Sequence, residues 1–224
     1  MIAPLAVVIP ALDAEATVGE VVRATRQVLP QAVVLVIDDG SSDHTAAVAR
    51  AAGAVVTRFE RNRGKGAALR AGIAAALARD AAAVLTLDAD GQHDPLAASS
   101  LLAALASADI VIGTRARAGT AMPMRRRLTN ALASSAVGRL LGSPVADSQS
   151  GFRAFRRRVA LEVQANGDRF EYETDFLIRA GRAGLRIVAV PVPTVYGGHS
   201  HFRPIADSAR IVRTIWRHRA EVRS

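Results

Sequence analysis

Residues Val84–Pro95 read "VLTLDADGQHDP". An apolar run ends in two carboxylates, Asp88 and Asp90, with Gln92, His93 and Asp94 directly behind them. Carboxylates at i and i+2 beyond a strand end can both point into one cleft. Two such groups repel each other unless a cation lies between them. Carboxylate and amide oxygens suit Mg²⁺ or Mn²⁺, and Mg²⁺ is commonly held by one or two carboxylates together with substrate phosphates. Asp88, Asp90 and Gln92 are therefore candidate ligands for a divalent cation that carries a phosphorylated substrate. Asp94 before Pro95 fits a different task, capping the next helix.

A tip of this kind needs a buried sheet behind it. "LAVVI" (Leu5–Ile9), "VVLVI" (Val33–Ile37), Ala54–Phe59, "AVLTL" (Ala83–Leu87) and "DIVIG" (Asp109–Gly113) read as strands. Helical patterns lie between them: one with Thr17 and Glu20 as a capping box, one from about Thr45, one over "GKGAALRAGIAAALA" and one over Leu96–Ala106. Short apolar strands alternating with helices predict an α/β fold with a mainly parallel sheet covered by helices on both faces. In such sheets ligands bind beyond the C-terminal ends of the strands. "PALDAE", "DDGSSD", "DADGQHD" and "GTR" should then share one edge. After Thr114 the pattern becomes irregular. A helix over Leu128–Leu141, a loop "DSQSGFRAF" entering a strand, a helix over "EYETDFLIRAGRAG", a strand "RIVAVPV" and a final helix Ile205–Arg219 are predicted. No repeat or linker divides the chain, so residues 1–224 read as one domain, with a nucleotide-fold N-terminal half (1–115) and an appended C-terminal part (116–224).

Composition narrows the classes. Of 224 residues half are hydrophobic, enough for a substantial core. The absence of cysteine excludes thiolate chemistry and disulfides and suits a reducing, cytoplasmic compartment. No stretch of about 20 apolar residues offers a membrane span. "MIAPLAVVIP" lacks a basic region before its apolar run, so it reads as the entry to a strand and not as a signal peptide. The formal charge of +9 favours anionic partners. Nearly all of the basic residues are arginine, and Lys65 is the only lysine. "RGKGAA" suggests a phosphate loop, but Phe59 stands where a Walker A motif needs its first glycine, and Gly66 where it needs Ser or Thr. Lys65 then orders its loop or assists a nucleotide pocket. His93, His199 and His201 lack the helical spacing of a zinc site.

The series "VVIPALDAE", "VIDDGSSDHT", "NRGKGAALRAG", "LDADGQHDP", "IGTR" and "SQSGFR" resembles the family 2 glycosyltransferases of GT-A fold, and within them the polyprenyl-phosphate (dolichol-phosphate) mannose and glucose synthases. The resemblance covers almost the whole chain. It implies an inverting, metal-dependent transfer of a hexose from a nucleotide diphosphate sugar, of GDP-mannose or UDP-glucose type, to a polyprenyl phosphate. Carried over, Pro10 and Ala11 line the nucleoside pocket, Ile37 and Asp39 hold the base or ribose, and Asp38 supports them. Asp88, Ala89 and Asp90 form the DxD motif, with Asp90 and Gln92 reaching the metal. Arg115 faces the donor or the acceptor phosphate. Asp147, Gln149, Ser150, Gly151 and Arg153 match the acceptor-side loop. The chain departs from the family at "PALDAE", where Leu12 and Ala14 replace the usual tyrosine and glutamate. Asp13 or Glu15 is the candidate substitute. In "YGGHSHFRP", His201 or Arg203 is the candidate for a basic residue on the acceptor side.

A phosphate acceptor is already anionic and needs no general base. It needs arginines instead, whose planar forks match phosphate oxygens. Arg115, Arg126, Arg127 and Arg153 are the candidates, and Asp147 alone suggests acid–base chemistry. A saccharide or lipid hydroxyl is the alternative acceptor. A sugar nucleotidyltransferase would want a basic Gly-rich loop after the first strand. A nucleic-acid binder would want aromatics among clustered basic residues, and aromatics are 4% of the chain. The last helix is basic and amphipathic, so it could lie on an anionic membrane surface.

Overall fold

The computed structural model describes residues 3–115, 124–193 and 204–221, without the side chains of 115, 124–129, 204, 205 and 221. Seven strands form one sheet in the order β3-β2-β1-β4-β6-β5-β7. They are β1 (Leu5–Ala11), β2 (Val33–Asp38), β3 (Val55–Arg58), β4 (Ala83–Thr86), β5 (Ile110–Arg115), β6 (Arg153–Arg156) and β7 (Ile187–Val192). All pairings are parallel except those of β6, which runs antiparallel between β4 and β5. The sheet is thus α/β and mainly parallel, as expected, with one inverted strand that the sequence pattern did not disclose. That inversion matters. Arg153, the first residue of β6, pairs with Thr86 near the end of β4, so the loop before β6 arrives at the edge where the parallel strands end.

Among the described residues eight α-helices flank the sheet: α1 (Val18–Val28), α2 (Thr45–Ala51), α3 (Lys65–Leu77), α4 (Ala98–Ala104), α5 (Met124–Leu141), α6 (Arg157–Glu162), α7 (Glu171–Arg182) and α8 (Pro204–Glu221). Alternate residues of each central strand feed two cores. Val7, Ile9, Leu85 and Val111 pack with Val18 and Val22 of α1 and Leu101 of α4. Ala6, Val8, Val84 and Ile110 pack with Leu69 and Ile73 of α3 and Phe176 and Leu177 of α7. Burial on both faces explains why these strands read as unbroken apolar runs. The edge strand β7 is only partly covered and carries Pro191, which an edge position tolerates.

Two local expectations fail. Thr17 makes no side-chain cap on α1. Its hydroxyl instead donates to the Ala89 carbonyl (2.7 Å) and ties the start of α1 to the 88–94 loop. Helix α5 begins at Met124, four residues before Leu128.

Helices α7 and α8 are joined around Asp175, which is wholly buried. Its carboxylate accepts the Asn166 N–H (2.7 Å), Arg179 Nε (2.6 Å) and Arg217 Nη2 (2.9 Å) and lies 2.7 Å from His218 Nε2. His218 Nδ1 lies 3.0 Å from Arg182 Nη1. A neutral ring that donates through Nε2 and accepts through Nδ1 satisfies both neighbours. Burial raises the Asp175 pKa, but the N–H of Asn166, His218 and Arg179 outweigh it, so the carboxyl is held below its ordinary value. The stability this supplies is present above the unfolded-state pKa of about 3.9 and is lost as pH falls through the lower folded value. Asp175→Asn should therefore lower unfolding stability at pH 7 by about 3 kcal/mol or more. The gap to wild type should narrow below about pH 4 in denaturant titrations.

Candidate active site

The strand order reverses between β1 and β4, and the crevice opens there, beyond their C-terminal ends. The loops after β1 and β2 form one wall and are stitched together. The Asp13 and Ala14 N–H groups donate to Ser41 Oγ (3.0 Å) and Thr45 Oγ1 (2.7 Å). The Asp13 carboxylate takes the Ser42 N–H (2.7 Å), and Glu15 takes that of His44 (2.9 Å). Both candidate substitutes in "PALDAE" are thus engaged in holding two loops together. Pro10 and Ala11 are buried at the end of β1, where the Ala11 carbonyl accepts the Asp39 N–H (2.8 Å). Ile37 lies in the core. Asp38 is fully buried, accepts the Ser41 N–H (2.9 Å) and faces Arg58 Nε at 3.3 Å. Asp39 accepts the N–H groups of Arg63 (2.7 Å) and Gly64 (2.8 Å). Burial raises its pKa, and those two N–H groups oppose the rise.

Asp39 thereby fixes the turn that starts α3. Gly64 has φ +100, and a Cβ there would overlap the Asp168 carbonyl. That carbonyl accepts the Ala67 N–H (3.1 Å), while Arg70 holds the Gly167 carbonyl and the Asp168 carboxylate. One N–H of the first turn of α3 is therefore capped by protein backbone. Lys65, the first residue of α3, extends from this turn to Asp88 Oδ1 (2.7 Å) and Glu173 Oε2 (3.2 Å), with its ammonium 5.5 Å from the centre of the Phe170 ring. Burial acts to lower the Lys65 pKa, and the Asp88 and Glu173 carboxylates more than reverse it, so the ammonium is held well above its ordinary value.

The two aspartates of the DxD motif therefore differ. Asp88 has Oδ1 on Lys65, and its carboxylate lies against Gly151, where a Cβ would overlap both oxygens. The carboxylate of Asp88, which the sequence offers as a metal ligand, is paired here with the ammonium. Asp90 is half-buried at the tip, its Oδ1 accepting the Gln92 N–H (3.0 Å). Space is open at Gly91 between them. One carboxylate and one amide oxygen beside open space fit a Mg²⁺ or Mn²⁺ ion that takes its other ligands from phosphates and water. Asp94 accepts the Leu96 N–H (2.9 Å), the cap expected of it. His93 is buried with its ring 5.4 Å from that of Phe152.

The loop before β6 lies against Asp88, but its polar side chains mostly hold the loop itself. Ser150 Oγ donates to the Gly113 carbonyl (2.6 Å), and Gln149 Nε2 to Thr174 Oγ1 (2.8 Å). Asp147 accepts the Gln149 N–H (3.2 Å). Arg153 is 3% exposed and donates to the carbonyls of Ser150 (2.8 Å), Glu173 (2.9 Å) and Ser148 (2.9 Å). This corrects its reading as an open fork for phosphate: the guanidinium braces the loop from inside. Arg115 ends β5, and Arg126 and Arg127 lie in the first turn of α5. His201 and Arg203 lie outside the described residues.

Sequence reasoning missed Glu173. A signal was present: Glu173 stands three and four residues before the buried pair Phe176 and Leu177, so it shares their helix face. A carboxylate there requires a cation, and the chain has one lysine.

Residues 6–163 match the family model described as glycosyl transferase family 2. The polyprenol monophosphomannose synthase of Mycolicibacterium smegmatis is 32% identical over 199 residues, covering 83% of this chain and 75% of that protein. The dolichyl-phosphate hexose transferase of Haloferax volcanii is 30% identical over 214 residues, 94% of this chain and 92% of that protein. Among solved structures, glucosyl-3-phosphoglycerate synthase from Mycobacterium tuberculosis, in complex with Mn²⁺, UDP and phosphoglyceric acid, superposes with a TM-score of 0.78 at 25% identity, covering 96% of this chain and 78% of that one.

Gly151→Ala tests the contact between the loop and Asp88. The variant should fold and bind UDP or GDP with Mn²⁺ about tenfold or more weakly by calorimetry, because the new methyl group displaces a carboxylate of the motif.

Proposed function

Because the chain belongs to glycosyl transferase family 2 and is a glycosyltransferase, we propose that it moves a hexose from a nucleoside diphosphate sugar to a polyprenyl phosphate, with inversion and with Mg²⁺ or Mn²⁺. The observation that carries this reading is the juxtaposition at the end of β4. The DxD tip and the loop before β6 share one wall, so a donor held at the first meets an acceptor held at the second. Two relatives named for polyprenol and dolichyl-phosphate transfer support the acceptor class. A matching structure with Mn²⁺ and UDP supports the donor and the cation.

Asp90 and Gln92 would hold the metal, which supplies Lewis-acid stabilisation of the diphosphate as it leaves. Pro10, Ala11 and the backbone at Ile37 would border the nucleoside, and Asp38 and Asp39 would set its pocket through the loops they fix. A phosphate oxygen attacks without losing a proton, so this chain's task is to bring two anions together. Arg115, Arg126 and Arg127, with His201 and Arg203, are the cations assigned to that task. A hydroxyl acceptor is the second reading. It is favoured by the inward placement of Arg153, which removes one phosphate ligand, and it would use Asp147 as base.

The test offers GDP-mannose, UDP-glucose and related donors with Mn²⁺ or Mg²⁺ and a polyprenyl phosphate. A lipid-linked hexose should form and should vanish with chelator. Asp90→Asn should remain folded and lose roughly two orders of magnitude or more in kcat/KM. Normal turnover by that variant would remove the metal assignment. Transfer to a sugar hydroxyl alone, abolished by Asp147→Asn, would support the second reading.

The acceptor class also sets a location. Among the described residues no helix is long and apolar enough to cross a membrane. Helix α8 leaves Val212 (54%) and Trp216 (69%) exposed one turn apart, beside the exposed Arg213 and Arg219. Arg210 and Arg217 are taken up by Asp207 and Asp175. We place this face on an anionic membrane surface at the cytoplasmic side. Flotation with anionic liposomes at low salt should be lost in Arg213→Gln/Trp216→Ser/Arg219→Gln and kept in Arg210→Gln. Equal flotation of all three proteins would refute the placement.

A further inference from the structure

The donor site as proposed leaves one group without a part. Glu173 is a buried carboxylate on α7, 3% exposed, and belongs to the C-terminal half of the chain. It pairs with Lys65 at 3.2 Å, and Lys65 in turn holds Asp88. The three side chains grade from the interior to the cleft, at 4%, 15% and 24% exposure for Glu173, Lys65 and Asp88.

We propose that Glu173 is a positioning residue: acting through Lys65, it fixes the Asp88 carboxylate at the cleft, so that α7 sets the geometry of the donor motif. The inference rests on the reading of this cleft as a nucleotide-sugar site.

A lysine has a flexible four-carbon stem, and one carboxylate alone does not fix its position. A second carboxylate behind it does, provided that the second is itself immobile. Glu173 meets that condition. Its carbonyl accepts Arg153 Nη1 (2.9 Å), and the neighbouring Thr174 Oγ1 accepts Gln149 Nε2 (2.8 Å). The Asp168 carbonyl, just ahead of α7, caps α3 through Ala67 N (3.1 Å). The start of α7 is thus tied both to the loop before β6 and to the helix that carries Lys65. With the ammonium held from behind, Asp88 Oδ1 stays on Lys65 and the carboxylate as a whole stays against Gly151. The tip beyond, with Asp90 and Gln92, then starts from a fixed point.

A purely structural Glu173 would stabilise α7 and do nothing else. The two roles separate in a double-mutant cycle of Glu173→Gln and Lys65→Met, read by calorimetric binding of UDP and GDP with Mn²⁺ and by thermal melting. Glutamine keeps the shape of the side chain and removes its charge. In the Lys65 background Glu173→Gln should weaken Mn²⁺-dependent nucleotide binding about tenfold, a coupling of ordinary size for residues in contact. In the Lys65→Met background the same change should alter binding less than about twofold. Equal losses in both backgrounds, or unchanged binding with only a lower melting temperature, would overturn the inference. If Lys65→Met does not fold, Lys65→Gln, which keeps a donor between the carboxylates, completes the cycle. A wild-type protein that binds neither nucleotide would overturn the donor-site reading and this inference with it.

Discussion

The ammonium of Lys65, enclosed between Asp88 and Glu173, is the interaction on which the site depends. A buried charge must be paired, and removing one partner of such a pair commonly costs about 3–5 kcal/mol. Much of the local architecture serves to bring these three groups together. Asp39 holds the turn before α3, and Gly64 lets that turn pass close to Asp168. Strand β6 enters against the direction of its neighbours and brings Gly151 up to Asp88. Arg153 then ties that entry to the carbonyl of Glu173. The N-terminal and C-terminal halves of the chain are joined at this point and are not merely adjacent.

The pairing also sets Asp88 apart from Asp90. With Asp88 neutralised by Lys65, the charge facing the cleft at the strand tip comes from Asp90. A single carboxylate with an amide beside it binds a divalent ion incompletely and leaves positions for phosphate oxygens. The loops after β1 and β2 are stitched by Asp13, Ser41, Ser42 and Thr45, so the opposite wall is fixed before any ligand binds.

The fold was readable because its signals are local. Apolar runs of strand length, separated by helical patterns, specify a parallel sheet, and the polar tips then collect on one edge without further information. The inversion of β6 was hidden because "FRAF" looks the same in either direction and only the connection decides it. The pairing of Asp88 at the acidic tip of β4 was not legible, since Lys65 lies 23 residues before it and Glu173, the carboxylate behind that lysine, 85 after it in the chain. Arg153 misled for a related reason. An arginine in a polar loop reads as a ligand, whereas here three carbonyls that no hydropathy pattern reveals draw it inside. Thr17 carried the mark of a helix cap, and a carbonyl 72 residues away competed successfully for its hydroxyl.

The division between Asp88 and Asp90 is tested most directly by a crystal structure with Mn²⁺ and the nucleoside diphosphate that binds, using the anomalous signal of manganese to place the ion. The expected result is manganese on Asp90, Gln92 and the diphosphate oxygens, with Asp88 still paired to Lys65. Manganese bound directly by Asp88, with the Lys65 ammonium withdrawn from it, would contradict the asymmetry from which the site has been built.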